Sequence, residues 1–536
     1  MSKNKSIRIA FAVMILVGIV ARTLPMANVD DRLFKQWVTE DGYLMLTMAR
    51  NIGIGNGMSI ADGQIATNGT QPLVTFVFAV AYWVFQGDKT IGIYFAHVYE
   101  LIISLATCFV LFRFSRDLLT KSQDDKSNLR DLNTQEYLAE YVPFVTAGIW
   151  FISPVYIGHT MNHLETGTYC LMILLSVWAW FARLSNIEEK GGLKSSFIVG
   201  VLLGITALVR IDAVFLIASI TIWNVLSAVI SKSENSLAQR LSHRILQSLV
   251  IGSVAVAITS PWLLNNKIRF GSFTPISGLS QKLEAGFAEN LMGLSPTLVE
   301  FAVLAIPIPK TLEGNSIVQS VCSILFVLWI AAQFFLARSA DAAQRIVMAI
   351  AATFVSAFVI YYGCFFGAPY FLSRYLSPGS IFFCISSCVM VLWSMEKTRT
   401  PKMMRACKLI GTMALCSVLL GRLYQNGSQH MHWHVVQWTE ANVRDETWVG
   451  AIQTGTLGYF HDRTINLDGK VNPFAYEART RDRIPEYIVK SDIEYLIDWQ
   501  SILEWHSATT LNQSFHIVVD ETNGYRGLGV MKRTAK

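Results

Sequence analysis

The sequence predicts an α-helical polytopic membrane protein that ends in a small α/β domain. Two features of its composition indicate the membrane part: 52% of the 536 residues are hydrophobic and only 15% are charged. Soluble proteins carry about 25% charged residues, so this composition excludes an ordinary soluble protein. The third observation is a change of pattern near residue 425, where long apolar segments give way to short strand-like runs such as "WVGAIQTGTLGYF".

Apolar windows of about 19 residues predict about eleven membrane spans, an odd number that puts the two termini on opposite sides of the membrane. The pair 196–210 and 211–231 is expected to meet around Arg210 and Asp212. The predicted spans lie near residues 7–25, 90–114, 142–160, 166–184, 196–210, 211–231, 245–264, 316–337, 346–366, 375–395 and 407–424.

The segment "QPLVTFVFAVAYWVFQ", residues 71–86, is apolar but shorter than the roughly 20 residues that cross a bilayer. If it lies flat in the interface, the basic loop holding Arg113 and Lys121 falls on the same side as the basic N-terminus, as the positive-inside rule requires. We therefore expect an interfacial helix at 71–86. The N-terminus is then cytoplasmic, and the acidic loop 26–89 and the C-terminal domain lie outside.

The stretch "TEDGYLMLTMARNIGIGNG", residues 39–57, begins with two adjacent acids, Glu40 and Asp41. One interpretation is a helix N-terminus, with Thr39 as the cap and both acids favoured by the helix dipole. The other interpretation is a pair of carboxylates that does chemistry at a membrane surface, where their mutual repulsion favours a nearby cation. The residues alone leave both interpretations open.

Other polar motifs favour structural roles. The net charge of +6 is spread over loops, which gives no nucleic-acid patch. The eight cysteines lie in apolar segments, which is typical of buried thiols. In "HMHWH", His430, His432 and His434 would share one face of a strand, and an interfacial belt of histidine and tryptophan is favoured there over a metal site.

The stretch "EDGYLMLTMARNIGIGNGMSIADGQIATNGTQPL" resembles the first outer loop of the GT-C superfamily of membrane glycosyltransferases. It is most similar to the branch of polyprenyl-phosphate-sugar-dependent enzymes that includes the arabinofuranosyltransferases. The matching positions are the acidic pair with a small residue and an aromatic (40–43), Ala-Arg-Asn (49–51) and Asn-Gly-x-x-Pro-Leu (68–73).

Five further segments resemble motifs of this family in the same order. Two positions depart from it: Glu40 stands where aspartate is common, and Ile211 stands where proline is usual. The segments are "NHLETGTY" (162–169), "ALVRIDAVFL" (207–216), "SPWLLNNKIRFGSFTPISGLSQK" (260–282), "SRYLSP" (373–378) and "GTLGYFHDRTINLDGKVN" (455–472).

The resemblance implies a GT-C catalytic membrane domain over residues 1–425 and a periplasmic α/β domain over 426–536. It implies an inverting glycosyltransferase in the bacterial inner membrane, which moves a sugar from a polyprenyl-phosphate donor to a glycan, lipid or protein acceptor. Such an enzyme needs a base for the acceptor hydroxyl and cations for the departing phosphate.

The resemblance also assigns candidate site residues. Glu40 and Asp41 are the candidate bases, and Glu165 would hold sugar hydroxyls. A divalent cation, Mg²⁺ or Mn²⁺, would bind at Glu40, Asp41 and Glu165. The candidates for phosphate binding are Arg210, Lys282 and Arg374.

Each of these residues also has a structural interpretation. Glu165 is suited to a helix N-terminus, Arg210 to a salt bridge with Asp212, and Arg374 to an interfacial anchor.

For the whole chain, the alternative function is a transporter or flippase of lipid-linked sugars. Transporters usually show inverted repeats and charges near the bilayer midplane, whereas the acids of this sequence cluster in an outer loop. A non-catalytic membrane scaffold would tolerate amides at Glu40 and Asp41.

Overall fold

Helices make up most of the protein, which we describe from a computed structural model. The described residues are 3–120, 132–185, 192–230, 236–302, 314–398, 432–520 and 527–534. In chain order, the α-helices are α1 (Lys3–Thr23), α2 (Glu40–Gly53), α3 (Pro72–Val84), α4 (Lys89–Thr120), α5 (Leu132–Ile152), α6 (Pro154–Thr160), α7 (Thr166–Leu184), α8 (Leu193–Val209), α9 (Val214–Ile230), α10 (Leu237–Phe270), α11 (Ile276–Gln281), α12 (Phe287–Met292), α13 (Leu294–Ala302), α14 (Ser316–Ser339), α15 (Ala342–Cys364), α16 (Leu372–Leu376), α17 (Ser380–Thr398), α18 (His432–Asn442), α19 (Gly455–Phe460), α20 (Pro473–Thr480), α21 (Ile484–Lys490) and α22 (Thr509–Asn512).

Within the described residues, eight helical segments are long and apolar enough to cross a membrane, or nine if one bent pair is a single span. The protein is therefore a multi-pass membrane protein. Predicted span 407–424 lies outside the described residues. The eight segments are Ile7–Ala27, Lys89–Thr120, Thr166–Leu184, Ile211–Ile230, Leu237–Phe270, Ser316–Arg338, Ala342–Cys364 and Pro369–Glu396.

The predicted span over 142–160 corresponds to the bent pair of α5 and α6, because the chain bends by 61° between these helices. Ser153 is extended, with φ −62° and ψ 127°, immediately before Pro154. Proline disfavours the helical conformation of the residue before it and has no N–H to continue the hydrogen-bond ladder. The bend turns α6 toward the loop 161–165, which lies beside the candidate site.

The break predicted around Arg210 is confirmed. Helix α8 has 17 residues and ends at Val209, and Arg210 is extended with φ −152° and ψ 128°. A short 3-10 turn over Ile211–Ala213 then leads into α9. The break lets an arginine and an aspartate two residues apart face each other at the ends of two apolar helices.

The outer segment 26–89 contains several short elements. A π-helix (Val29–Trp37) is followed by α2 and by a hairpin of β1 (Ser59–Ile60) and β2 (Ile65–Ala66). Helix α3, with 13 residues, then fills the predicted interfacial segment. Its helical nature is confirmed, and its position in the interface stays a prediction.

The C-terminal region forms a mixed five-stranded sheet in the order β4-β3-β5-β7-β6. Strand β3 is parallel to β4 and β5, whereas β7 is antiparallel to β5 and β6. The predicted domain boundary at 425/426 lies outside the described residues. The strands are β3 (Val449–Ala451), β4 (Thr464–Asn466), β5 (Tyr495–Trp499), β6 (Phe515–Val519) and β7 (Leu528–Arg533).

This sheet domain packs against the outer segment through one buried and two partly exposed polar contacts. The hydroxyl groups of Tyr82 and Tyr459 are 2.8 Å apart. Asp462 forms ion pairs with Arg50 at 3.1 Å and Lys89 at 3.0 Å. The segment "GTLGYF", predicted to be strand, is helix α19 instead. Gly455 allows close approach of the α19 backbone to α2, which places the sheet domain directly over Glu40.

Candidate active site

The N-terminus of α2 is fixed by Thr39. Its hydroxyl accepts a hydrogen bond from the Gly42 amide at 3.1 Å and donates one to the Asn162 carbonyl at 3.0 Å. The predicted cap and first turn are therefore confirmed. The second contact ties the start of α2 to the loop 161–165, although the two segments are far apart in sequence.

Glu40 and Asp41 have different surroundings. Glu40 accepts hydrogen bonds from the backbone amides of Gly455 at 2.5 Å and Thr456 at 2.9 Å, and also from the Thr456 hydroxyl. Nδ1 of His432 lies 3.7 Å from the same carboxylate. Both oxygens of Glu40 are thus engaged by the C-terminal domain, which is the arrangement of a structural contact.

Asp41 instead faces a cation. Its carboxylate forms a 2.5 Å ion pair with Arg374, and its side chain is 37% exposed, compared with 24% for Glu40. Burial would raise the pKa of Asp41, but the charges of Arg374 and Lys470 and the hydrogen bond from Arg374 outweigh it and lower the pKa below its usual value. Asp41 is therefore ionised and accessible.

Arg374 is held in place by aromatic side chains. Its second guanidinium nitrogen donates to the Tyr375 hydroxyl at 2.9 Å, and its guanidinium lies 5.4 Å from the ring centre of Phe371. A planar guanidinium group that stacks on aromatic rings and offers several N–H donors is suited to binding a phosphate. The predicted candidates Asp41 and Arg374 are thus in direct contact.

Lys470 is a basic residue of this site that sequence analysis missed. It lies in the turn after β4, 3.2 Å from Glu284 and 3.7 Å from Asp468. Burial opposes its charge, but Asp468, Glu284 and Asp41 together raise the pKa of Lys470 above its usual value. The available signal was the "LDGKVN" turn, in which a Gly in a left-handed conformation brings a lysine out of a buried strand.

Lys282 lies at the end of α11, in the same layer. It is exposed and, among the described residues, forms none of the ion pairs. Its neighbour Ser280 donates to the carbonyl of Asp468 at 2.8 Å, and Gln281 donates to the carbonyl of Gly367 at 2.6 Å. Helix α11 is thereby packed against the turn that carries Lys470.

Arg210 is buried in a network with two acids. It contacts Asp212 at 2.7 Å and Glu165 at 3.0 Å, and donates to the Tyr362 hydroxyl at 2.9 Å. Tyr362 also donates to Asp212 and stacks on Tyr375 at 4.7 Å between ring centres. The structural interpretation of Arg210 is therefore observed, and Glu165 takes part in the same network. Through the stacked rings of Tyr362 and Tyr375, this network also contacts the Arg374 side chain.

Glu40, Asp41 and Glu165 do not converge on one point as cation ligands. Among the described residues, the one group of three or more histidine, cysteine or acidic side chains with converging ligand atoms is His97, Glu100 and His163. Each of the three predicted acids is already paired with amides or an arginine. The predicted Mg²⁺ or Mn²⁺ site at these acids therefore gains no support from the geometry.

His432 corrects another expectation. It lies in helix α18, not in a strand, and it is buried between Glu40 and Asp498 rather than in an interfacial belt. His434 of the same helix is exposed, and His430 lies outside the described residues. The helix was missed because the apolar periodicity of this short segment is weak.

The long apolar helices and the small C-terminal sheet domain, joined above Asp41, define a GT-C fold. The structure is similar to ArnT from Cupriavidus metallidurans bound to undecaprenyl phosphate, with a TM-score of 0.58 and 12% identity over 98% of each chain. It is also similar to the archaeal oligosaccharyltransferase AglB from Archaeoglobus fulgidus in complex with an inhibitory peptide and a dolichol-phosphate. That comparison gives a TM-score of 0.55 and 10% identity over 100% of this chain and 74% of the other.

Sequence comparisons add one match. A family described as "Domain of unknown function (DUF8728)" matches residues 422–530, which contain the C-terminal sheet up to the middle of β7. None of the curated proteins matches the chain in sequence. At this level of identity the structural similarities establish the fold.

Proposed function

We propose that the protein is an inverting glycosyltransferase that moves one sugar from a polyprenyl-phosphate donor to a hydroxyl group on a glycan, lipid or protein acceptor. The reaction would occur on the outer face of a bacterial inner membrane. The observation that carries the proposal is the pair of Asp41 and Arg374, which joins an accessible carboxylate to a cation suited to phosphate at 2.5 Å.

In the proposed reaction, the acceptor oxygen attacks the anomeric carbon while its proton passes to a carboxylate oxygen of Asp41. The bond between that carbon and the phosphate oxygen breaks, and its electron pair leaves with the lipid phosphate. A single displacement of this kind inverts the anomeric configuration. Because phosphate is a good leaving group, no acid is needed to protonate it.

The basic residues have separate parts in this proposal. Arg374 would hold the departing phosphate, with Lys470 and Lys282 supplying further positive charge from the neighbouring turns. Binding of a phosphate to Arg374 would weaken its pairing with Asp41. The pKa of Asp41 would then rise toward its usual value, which makes it a better base at the moment when the donor is present.

Glu40 is assigned a positioning role instead of a share in proton transfer. Its carboxylate accepts hydrogen bonds from two backbone amides and from the Thr456 hydroxyl, so both of its oxygens are already engaged by the C-terminal domain. Glu165 and Arg210 would likewise act by supporting Arg374, since both are buried in their own network.

The similar structures support the lipid part of the donor. ArnT is bound to undecaprenyl phosphate and AglB to a dolichol-phosphate, and both ligands are polyprenyl phosphates. The resemblance to the arabinofuranosyltransferase branch makes pentosyl donors as relevant as hexosyl donors.

The test is sugar transfer by purified protein reconstituted in liposomes. A panel of radiolabelled polyprenyl-phosphate pentoses and hexoses is offered together with a membrane-glycan extract, and wild type is compared with Asp41→Asn. We expect label in the acceptor fraction for wild type and a large loss for the variant. Movement of intact donor across the bilayer, with no transfer by wild type, would contradict the proposal and favour a flippase.

A further inference from the structure

A group of buried side chains lies beside the candidate active site and takes no part in the proposed reaction. His97 and Glu100, both on α4, are three residues apart and so lie on one face of the helix. His163 approaches them from the loop 161–165. The three ligand atoms lie within 4.8 Å of one another, and all three residues are buried.

The polar atoms of this group are unsatisfied by the described part of the protein. Nδ1 of His97, Oε2 of Glu100 and both ring nitrogens of His163 are buried there without a hydrogen-bond partner. Buried polar atoms are nearly always paired, because an unpaired one loses its hydrogen bonds to water without replacement, and a charged one loses more. Unpaired atoms on three residues whose ligand atoms converge indicate a missing ligand.

The surrounding contacts orient these atoms as metal ligands. Nε2 of His97 is 2.7 Å from the Arg22 carbonyl, to which it donates, so Nδ1 carries the lone pair. Oε1 of Glu100 accepts from the Leu164 amide at 3.1 Å, which leaves Oε2 free. The His97 and His163 rings stack with centres 5.4 Å apart. Metal-binding histidines usually have a second contact of this carbonyl type.

The charges nearby favour a bound cation. Glu100 is 2% exposed and, among the described residues, has no ion-pair partner, while the carboxylate of Glu165 is close enough to act on it. Arg22 is the basic residue near His97, but its guanidinium donates to the Phe151 carbonyl at 2.7 Å. The Ile93 carbonyl also lies near His163 without hydrogen-bond geometry.

We propose that His97, Glu100 and His163 bind one divalent transition-metal ion of the zinc class. Two imidazoles and one carboxylate form a common set of three protein ligands for zinc, with water in the fourth position. Tetrahedral zinc places its ligand atoms about 3.3 Å apart, given bonds of about 2.0–2.1 Å. Side-chain rotations therefore have to shorten the distances between the ligand atoms by up to about 1.5 Å around the ion.

The ion would hold segments of the active site in place without being part of that site. His163 has φ +62°, a left-handed conformation that a metal bond helps to hold, and the adjacent Asn162 carbonyl accepts from Thr39. Metal at this point would fix the loop 161–165 against α4 and thereby fix the first turn of α2. The inference concerns residues outside the proposed reaction, and its test does not depend on sugar transfer.

The experiment measures the metal content of full-length protein in detergent by inductively coupled plasma mass spectrometry, before and after incubation with Zn²⁺ and desalting. We expect about one zinc-class ion per chain in wild type and a loss of at least fivefold in Glu100→Gln and His163→Asn. Both variants are mild: Gln keeps the shape of Glu, and Asn tolerates the left-handed backbone. His159→Ala serves as the matched control, because His159 pairs with Glu300 and lies outside the group.

X-ray absorption on wild-type protein tests the ligand set without any variant. We expect two imidazole nitrogens and oxygen ligands around the metal. Protein that holds no ion after incubation would overturn the proposal, as would metal retained in both cluster variants or sulfur ligands in the spectrum. Asp41→Asn is expected to keep its metal, so failure of the proposed transfer reaction would be distinguishable from failure of this site.

Discussion

At the scale of single residues, the two adjacent acids of α2 are expected to behave differently. Asp41→Asn removes the proposed base but keeps the side-chain shape, so we predict a fall in single-turnover transfer rate of about 10²–10⁴-fold, the usual contribution of general base catalysis. The melting temperature should change little because the side chain is more than one-third exposed. A rate within tenfold of wild type would remove Asp41 from the mechanism.

Arg374 gives the second prediction at this scale. Arg374→Lys keeps the positive charge but loses the fork that reaches Asp41 and Tyr375 together, and it loses stacking on Phe371. We expect the KM for the lipid-phosphate donor to rise by about tenfold or more, measured by initial rates at varied donor concentration. Arg481→Lys is the control, since Arg481 forms an exposed pair with Glu477. Equal donor KM values in both variants would refute the phosphate role.

The resemblance assigned Asp41, Arg374 and Lys282 as site candidates, but it could not separate Glu40 from Asp41. The reason is physical: the partner of Glu40 is the Gly455 amide, 415 residues away in the chain. A local pattern carries no information on that contact. In the same way, His97 and Glu100 stand in an apolar helix, where a lone acid was the available signal of a special site.

At the scale of elements, the contact between α2 and α19 depends on a glycine. A Cβ atom at Gly455 would lie 1.8 Å from the Glu40 carbonyl oxygen, whereas one at Gly458 of the same helix would meet its nearest neighbour at 3.7 Å. We therefore predict that Gly455→Ala destabilises the protein by about 1–3 kcal/mol or more, since backbone has to move. Thermal unfolding in detergent measures this change.

Gly458→Ala is the matched control for this prediction, and it should be nearly neutral. Transfer activity should fall with Gly455→Ala as well, because α19 holds Glu40 and so sets the direction of the adjacent Asp41. Similar unfolding temperatures for the two variants would show that α19 is not pressed against α2 as described.

The elements themselves were predicted well where the signal is local. Apolar windows found most spans, because hydrophobic length is a property of consecutive residues. The bend at Pro154 has a local signal, the proline itself, but a hydropathy window averages over it. Helix α10 is longer than its apolar window because a capping box at Ser236 and Gln239 starts the helix earlier. Helix α19 was mistaken for strand because its tertiary contacts outweigh its weak propensity.

At the scale of the whole molecule, the sheet domain and the helical part are joined by charged contacts that respond to pH. His432 is buried with Nδ1 3.7 Å from Glu40 and Nε2 3.3 Å from Asp498. Burial alone would lower the pKa of His432, but the two carboxylates outweigh burial and raise the pKa above its usual value of 6.5. The same histidine thus links α2 to the sheet, through Glu40 on one side and Asp498 on the other.

A raised pKa in the folded state means that protonated His432 stabilises the fold. This stabilisation is fully present below about pH 6.5 and is lost as the pH rises through the raised value. We predict that the melting temperature of wild type falls more steeply between about pH 6 and pH 9 than that of His432→Gln. His434→Gln, an exposed position on the same helix, should keep the wild-type slope. Parallel curves for wild type and His432→Gln would mean that the junction draws no pH-dependent stability from this histidine.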